Sequence, residues 1–174
     1  SGLASIIVAE GNKVYESGDN CNAIINKETK ELIVGCKNTI IPEGVTSIGD
    51  EAFGNCSGLT KIEIPKGVTS IEYQAFRGCS NLTSITIPDG VTRIDDYAFW
   101  ACSSLKDVYY TGAQESWDKI KIMSMAFLYY DEESEERVSI PYTLHCNSSG
   151  EKPTASPSPS PSAEPSATPS EQPS

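Results

Sequence analysis

The chain has 174 residues, 38% of them hydrophobic, and a net charge of −11 at neutral pH, which suits one folded domain with a core. The acidic balance argues against nucleic acid and anionic membrane surfaces as partners, because both are negatively charged. No apolar run reaches the length that spans a bilayer, so membrane insertion is not expected.

The N-terminal part of the chain contains two strand signals. The spacing Leu-x-x-Ile-x-Val at residues 3–8 predicts a first strand. Two apolar runs, Ala23–Ile25 and Leu32–Val34, flank a polar turn, which is the pattern of a β-hairpin. Pairing about this turn places Ile25 opposite Leu32. We expect the hairpin to cover the first coil of the structure that follows.

Residues 39–110 contain three repeats with a period of 23 residues, which superimpose without a gap. They share the phrase I-P-x-G-V-T-x-I-x-x-x-A-F-x-x-C-S-x-L-x-x-I, with departures in the third copy. Such a period predicts a solenoid, in which Phe53, Phe76 and Phe99 stack as a column. One repeat buries too few apolar side chains to fold alone, so stability must come from neighbouring coils and end caps.

Each repeat is predicted to contain a main strand, a short extended piece and a helical turn. The parallel strands would form one sheet on one face of a short arc, with each Ala-Phe ring pointing inward. The main strands are Lys61–Ile64, Ser84–Ile87 and Asp107–Tyr110; the extended pieces are Val45–Ile48, Val68–Ile71 and Val91–Ile94; the turns lie around Asp50–Gly54, Glu72–Gly78 and Asp95–Ala101.

The repeat phrase ends at Tyr110, and the next residues are predicted to form a different unit. Ala113–Lys119 predicts a short helix, residues 120–122 alternate as in a strand, and Val138–Cys146 predicts a closing strand. Residues 123–138 follow no recognised pattern. From residue 150 onward, proline alternates mostly with Ser, Ala and Thr, which predicts a disordered linker.

The six cysteines are not expected to form a disulfide framework. Cys21 and Cys36 face each other across the predicted hairpin, and either a disulfide or two buried thiols is compatible with that placement. The other repeated cysteines (Cys56, Cys79 and Cys102) would stand about 4.8 Å apart with parallel side chains. Disulfides require Cβ atoms at roughly 3.5–4.5 Å with converging bonds, so free, packed thiols are favoured.

No catalytic, metal or cofactor site is predicted. His145 is the single histidine and there is no C-x-x-C pair, which disfavours zinc. The adjacent Cys146 would point to the opposite face of a strand, so the pair cannot act as a dyad. The acidic pair Asp95-Asp96 and the run Asp131–Glu136 lack the loop pattern of a calcium site.

The repeat phrase resembles the BspA-like (Treponema pallidum-type) leucine-rich repeats of bacterial surface proteins. The hairpin resembles their first unit, and V-Y-Y-T-G-x-x-x-x-W-x-K-I-x-I at 108–122 resembles their closing unit, where Trp117 would cover the last Phe. The resemblance implies an α/β solenoid, a short right-handed leucine-rich-repeat arc with a parallel β-sheet, an N-terminal β-hairpin cap and a C-terminal α+β cap. The expected divisions are 1–38 (N-terminal repeat strand and hairpin), 39–110 (three repeats), 111–149 (C-terminal cap) and 150–174 (linker).

The candidate binding surface lies on the alternate, outward positions of the main strands. Exposed aromatic residues are the usual anchors of interfaces, although Trp100 could instead cap the core and Tyr109 pack on the C-terminal unit. Tyr73 and Tyr97 lie on the turn side. The candidate residues are Lys61, Glu63, Ser84, Thr86, Asp107, Tyr109 and Trp100.

The predicted function is a non-enzymatic, cell-surface or secreted binding module. The resemblance implies adhesion to host protein, glycan or other bacteria through the sheet face, by a monomer that is extracellular or attached to the bacterial cell wall. The alternative is a structural spacer that displays another domain of a larger extracellular protein. The chain opens with Ser-Gly-Leu and shows no signal peptide, which indicates an excised or mature fragment.

Overall fold

A computed structural model describes residues 3–18, 21–131 and 133–147. The linker predicted at 150–174 lies outside these ranges. The elements in chain order are β1 (Tyr15–Glu16), β2 (Ile24–Asn26), β3 (Glu31–Val34), β4 (Ser47–Ile48), β5 (Lys61–Glu63), β6 (Ser70–Ile71), β7 (Ser84–Ile87), β8 (Arg93–Ile94), β9 (Asp107–Tyr110), α1 (Gln114–Trp117), β10 (Lys121–Ile122), β11 (Leu128–Asp131), β12 (Glu136–Ser139) and β13 (Thr143–Cys146).

Successive coils add strands to two different sheets. The short sheet has the order β1-β2-β3-β4-β6-β8-β10, and it is parallel from β3 to β10. The main sheet has the order β13-β9-β7-β5 and is parallel throughout. The predicted main strands and their parallel sheet are therefore confirmed. The short extended pieces also pair with one another, in a second ladder that the sequence analysis did not predict.

The core consists of identical side chains stacked from coil to coil. Ile48, Ile71 and Ile94 are partners in register, and all three are buried. The ring centroids of Phe53 and Phe76 lie 5.0 Å apart at an interplanar angle of 6°. The rings of Phe76 and Phe99 lie 5.3 Å apart at 1°. The predicted column is confirmed, and burial of each such side chain contributes about 1.5–3 kcal/mol.

The phenylalanine column continues beyond the three predicted repeats. Phe127 stacks on Phe99 at 4.6 Å and 13°, and Tyr142 follows Phe127 at 4.8 Å. The expectation that Trp117 covers the column is wrong, because its ring packs against Tyr110 at 5.3 Å and 68°. Residues 122–127 form the Ile-x-x-x-Ala-Phe turn of another coil, in the stretch where sequence gave no pattern.

At the other end of the column, a glycine replaces the phenylalanine. The amide of Gly35 donates to the carbonyl of Ala52 at 2.8 Å, as the amide of Phe53 donates to that of Ala75 at 2.7 Å. A Cβ atom at Gly35 would lie 2.2 Å from Cε1 of Phe53. The coil that contains Gly35 is counted as the first, and those of Phe53 and Phe76 as the second and third. The first coil thus presents backbone without a side chain to the ring of Phe53.

The predicted helical turns do not form helices. Within the described ranges, the only α-helix is α1. Each turn instead has two residues with positive φ, one on either side of its Ala-Phe pair; they are Glu51 and Asn55, Gln74 and Gly78, and Tyr97 and Ala101. This backbone orients the amides of the turn towards the next coil rather than along a helix. The predicted α/β class is therefore corrected, because the repeats consist of strands connected by turns.

Inter-coil hydrogen bonds compensate for this unusual backbone. In the second coil, the amides of Glu51, Phe53 and Asn55 donate to carbonyls of the third coil at 3.0, 2.7 and 2.6 Å. The third coil repeats the pattern, since its Phe76 amide donates to the carbonyl of Ala98 at 2.7 Å. Each coil is therefore joined to the next along the turn as well as along both sheets, which offsets the cost of placing non-glycine residues in the left-handed region.

The N-terminal hairpin is confirmed, whereas the strand expected at residues 3–8 is wrong. Ile25 pairs with Leu32 as predicted, with an irregularity next to Ile24, and β3 then joins β4 in parallel. Residues 3–8 form no strand; Val8 donates its amide to Ser17 Oγ at 2.9 Å, and the side chain of Ile7 is 83% exposed. Because the apolar side chains of residues 3–8 are not buried, they contribute little to the stability of a strand in this segment.

The C-terminal region contains two of the elements predicted for it. The predicted helix forms as α1 and residues 121–122 form β10. The single closing strand predicted at Val138–Cys146 is divided by Ile140 and Pro141 into β12, which pairs with β11 as a hairpin, and β13, which joins the main sheet. Within the described residues, no helix has the length and apolar character needed to cross a membrane.

Candidate binding surface

The outward face of the main sheet carries two straight rows of side chains, as the alternation of the strands predicts. Lys61, Ser84 and Asp107 are partners in register and form the first row. The second row consists in the same way of Glu63, Thr86 and Tyr109. The inward neighbours, Ile62, Ile85 and Val108, are buried. The structure therefore brings six of the seven candidate residues together on one surface.

Strand β13 extends both rows by one position. Thr143 pairs with Asp107, and His145 pairs with Tyr109. Both added side chains are exposed. Neither residue was predicted to lie on this surface, because His145 was considered only as a possible catalytic residue. The available signal was the alternation of T-L-H-C, which places Leu144 and Cys146 inward as Val108 and Tyr110 are in β9.

His145 makes two ordered contacts at this end of the surface. Its Nε2 atom lies 2.8 Å from Oδ1 of Asp107, and the two side chains are 43% and 38% exposed. Its ring stacks on the ring of Tyr109, with centroids 4.6 Å apart and an interplanar angle of 15°. Cys146 instead lies opposite the buried Tyr110, so the histidine and the cysteine point to opposite faces as predicted.

Trp100, the seventh candidate, lies in a separate aromatic cluster on the turns. Its ring contacts Tyr97 at 5.3 Å and 68°, and Tyr97 contacts Tyr73 at 5.8 Å and 82°. The guanidinium carbon of Arg137, on β12, lies 5.9 Å from the centre of the Trp100 ring. Trp100 is half-buried and does not cap the phenylalanine column, whose next member is Phe127.

The short sheet presents a different, charged surface. Its outward row contains Glu31 and Arg93, and Arg93 forms ion pairs with Glu72 and Asp95. Partial burial, with repulsion from Glu72 and Asp50, raises the pKa of the Glu31 carboxyl above its ordinary value. Acidic charge thus accumulates at this side of the fold without the stacked rings found on the main sheet.

The cysteines form a structural column rather than a reactive site. All six are free thiols, and Cys21, Cys36, Cys56, Cys79 and Cys102 are buried. Two of the thiols donate to phenylalanine carbonyls of the preceding coil, Cys79 to Phe53 and Cys102 to Phe76, at 3.1 Å each. Burial raises the pKa of Cys56, and contact with Cys79 together with burial raises that of Cys102, whereas the same contact lowers the pKa of Cys79. Raised pKa values make Cys56 and Cys102 poor nucleophiles, and Cys79 is fully buried.

Comparison with sequence families gives one match. The sequence model described as the BspA type leucine-rich repeat region matches residues 24–143 in six copies. The matched region thus extends beyond residues 39–110 on both sides. No curated protein matches the chain.

Solved structures of bacterial leucine-rich repeat proteins are similar to the chain. A leucine-rich repeat protein from Eubacterium ventriosum is 29% identical with a TM-score of 0.54, over 62% of this chain and 30% of that one. The pneumococcal vaccine antigen PcpA is 15% identical with a TM-score of 0.51, over 84% and 45% of the two chains. The T. pallidum leucine-rich repeat protein is 22% identical with a TM-score of 0.40, over 60% and 53%. The chain therefore spans about a third to a half of these relatives.

Proposed function

Because the chain belongs to the BspA-type leucine-rich repeat family, we propose that it is a non-enzymatic binding module of a bacterial surface protein. Its partner is a protein or glycan, and its binding surface is the outward face of the main sheet. Support for a protein-interaction module comes from the family, whose members are typically bacterial surface proteins.

The observation that favours this face is the alignment of its side chains. Lys61, Glu63, Asp107, Tyr109 and His145 project from one rigid parallel sheet in two rows. Rigid elements hold side chains in fixed relative positions, so less conformational entropy is lost when a partner binds. The mixture of charges, hydroxyl groups and aromatic rings is typical of a polar, specific interface rather than of a core contact.

The finer features of the proposal follow from the same arrangement. We propose that the hairpin β2–β3 caps the N-terminal end and that the unit from residue 111 onward, which contains Phe127 and Tyr142, caps the C-terminal end, an arrangement that suits a monomer with its rows exposed. We place the module outside the bacterial cell, where it mediates adhesion to host protein, glycan or other bacteria.

The proposal is tested with arrays of matrix proteins and glycans. We expect the triple variant Lys61→Ala/Glu63→Ala/Tyr109→Ala to lose at least tenfold in signal, since interface anchors each contribute about 1–2 kcal/mol or more. The matched control is Lys121→Ala/Glu43→Ala/Tyr130→Ala, which removes the same three residue types from exposed positions off this face. Circular dichroism and thermal unfolding establish that both variants are folded.

Equal signals from the two triple variants would reject the main-sheet face as the binding surface. Absence of any binding partner across the arrays, with a folded wild-type protein, would favour the alternative function, a structural spacer. The Pro/Ser-rich composition of residues 150–174 is the feature that supports the spacer.

A further inference from the structure

At the C-terminal end of the main-sheet face, three side chains form an ordered cluster on the surface. Asp107 and Tyr109 project from β9, and His145 projects from the adjacent β13. The imidazole is fixed between the Asp107 carboxylate at 2.8 Å and the Tyr109 ring at 4.6 Å. An exposed histidine held by two such contacts has little rotamer freedom left to lose on binding.

The contact with Asp107 determines which atoms of the cluster face a ligand. A carboxylate only accepts hydrogen bonds, so His145 Nε2 must carry the proton that it donates to Oδ1. In the neutral imidazole, Nδ1 is then an acceptor. The second carboxylate oxygen of Asp107 is an acceptor as well. The cluster thus offers acceptors and one negative charge beside aromatic rings, and it requires a donor-rich, positively charged group.

The charges nearby do not neutralise this cluster. Lys61 is the only cation in the two rows, and it is separated from Asp107 by Ser84. Lys106 precedes Asp107 in the chain, but the ion pairs among the described residues include none between the two. Two strand spacings amount to about 9.6 Å, which is close to the distance over which salt screens surface charges. The protein as a whole carries −11. The electrostatic complement is therefore a cation from the partner.

We propose that Asp107, Tyr109 and His145 form a subsite that receives an arginine side chain of a protein partner. This inference rests on the proposed function and specifies the chemistry of the contact. A guanidinium is planar, stacks on aromatic rings, and bonds a carboxylate through paired N–H groups. It can donate to the second oxygen of the Asp107 carboxylate while its plane lies against the part of the Tyr109 ring that His145 does not cover. A lysine ammonium meets the charge but not the planar geometry.

The test uses defined peptides with the isotope-labelled protein. The probe is Ac-(Gly-Arg)₃-Gly-NH₂, and the comparisons are the same peptide with lysine or with uncharged citrulline in place of arginine. Titrations followed by ¹H–¹⁵N NMR should show shifts at Thr86, Asp107, Tyr109 and His145. We expect the arginine peptide to bind best, the lysine peptide several-fold more weakly, and the citrulline peptide at least tenfold more weakly, because charge-assisted hydrogen bonds are the stronger ones.

Two variants test the residues of the cluster directly. Asp107→Asn should weaken the arginine peptide at least tenfold, whereas Asp118→Asn, which changes the net charge equally at an exposed position on another element, should leave binding unchanged. His145→Ala should weaken binding less, because it frees the Asp107 carboxylate and the Tyr109 ring from the contacts that hold them in place. The same spectra report whether each variant is folded.

The inference is overturned by shifts that map elsewhere, by equal affinity for the arginine and citrulline peptides, or by equal effects of the two Asp→Asn variants. An uncharged oligosaccharide that shifts the cluster when the arginine peptide does not would also overturn it. These failures are distinct from failure of the proposed function, which depends on the array signals of the two triple variants.

Discussion

Gly35 is the position where a single added carbon should have the largest effect. Its Cβ would lie 2.2 Å from the Phe53 ring, and that ring is itself stacked on Phe76. We expect Gly35→Ala to destabilise the protein by about 1–3 kcal/mol through overpacking. Urea unfolding monitored by circular dichroism measures the change.

Gly90→Ala is the matched control for this substitution. Its added Cβ would lie 3.5 Å from the nearest atom, the carbonyl oxygen of Val68, which is an ordinary contact. The stability of this variant should change by no more than about 0.5 kcal/mol. Equal losses at both glycines would show that Phe53 does not pack on the backbone of the first coil.

Glu31 provides a pH-dependent prediction. Burial and the charges of Glu72 and Asp50 raise its pKa in the folded state. The folded protein therefore binds this proton more tightly than the unfolded chain, so this group favours folding more strongly as the pH falls through the folded-state pKa. We expect Glu31→Gln to unfold at a higher temperature than wild type at pH 7, with the difference shrinking towards the ordinary glutamate value of 4.5.

Glu28→Gln, in an exposed turn, controls for the change of net charge in this experiment. It should not show the same pH-dependent gap. If the difference in unfolding temperature between Glu31→Gln and wild type stayed constant across the pH range, the substitution would not act by removing charge repulsion at Glu31.

At the level of elements, the coils show why strands could be predicted and turns could not. The strands follow directly from alternating apolar residues, and their register follows from the repeat, as the pairing of Ile62 with Ile85 shows. The turns depend on positive φ at residues such as Glu51 and Gln74. Glutamate and glutamine rarely adopt this conformation, so the sequence does not predict it. That backbone is stabilised by hydrogen bonds between coils, which a local pattern does not contain.

The additional coil around Phe127 was missed for a different reason. It has the same Ile-x-x-x-Ala-Phe phrase as earlier coils, but Phe127 follows Phe99 after 28 residues rather than 23. A search for one fixed period therefore ends too early, although the shared core contact is retained. His145 was missed similarly, because its place on the surface depends on β13 returning to the main sheet after the β11–β12 hairpin.

Phe127→Ala tests whether this coil belongs to the core. Phe127 stacks between Phe99 and Tyr142 and is 8% exposed, so its truncation should cost about 3 kcal/mol in the free energy of unfolding. Tyr130→Ala, at a side chain that is 53% exposed on the next strand, should cost less than about 0.5 kcal/mol. Denaturant unfolding measures the loss of stability in both variants. Similar small losses in the free energy of unfolding would show that Phe127 is not part of the stack.

For the molecule as a whole, thiol accessibility reports how completely the coils are closed. Five cysteines are buried, and Cys146 is half-buried beside Gln114. Burial, with the nearby charges of Asp118 and Glu115, raises the pKa of the Cys146 thiol. We expect a thiol reagent to label only Cys146 in the folded protein, slowly at neutral pH and faster as the pH rises, because the thiolate reacts.

The same reagent in denaturant without reductant should label all six thiols. Labelling of four would show that Cys21 and Cys36 are joined, the alternative that the sequence left open. Rapid labelling of several thiols in the folded protein would contradict the closed cysteine column.

The turns give the whole stack a direction. From Gly35 through Phe53, Phe76 and Phe99, each amide donates to the coil that follows, and each peptide group points its carbonyl to the coil before. Aligned peptide dipoles add, as they do along a helix. Along this ladder the acceptor side faces Gly35 and the donor side faces Phe99, whereas the strands of the two sheets donate in both directions. A coil inserted into the ladder can continue it only in the orientation of its neighbours, which is how a tandem repeat is added.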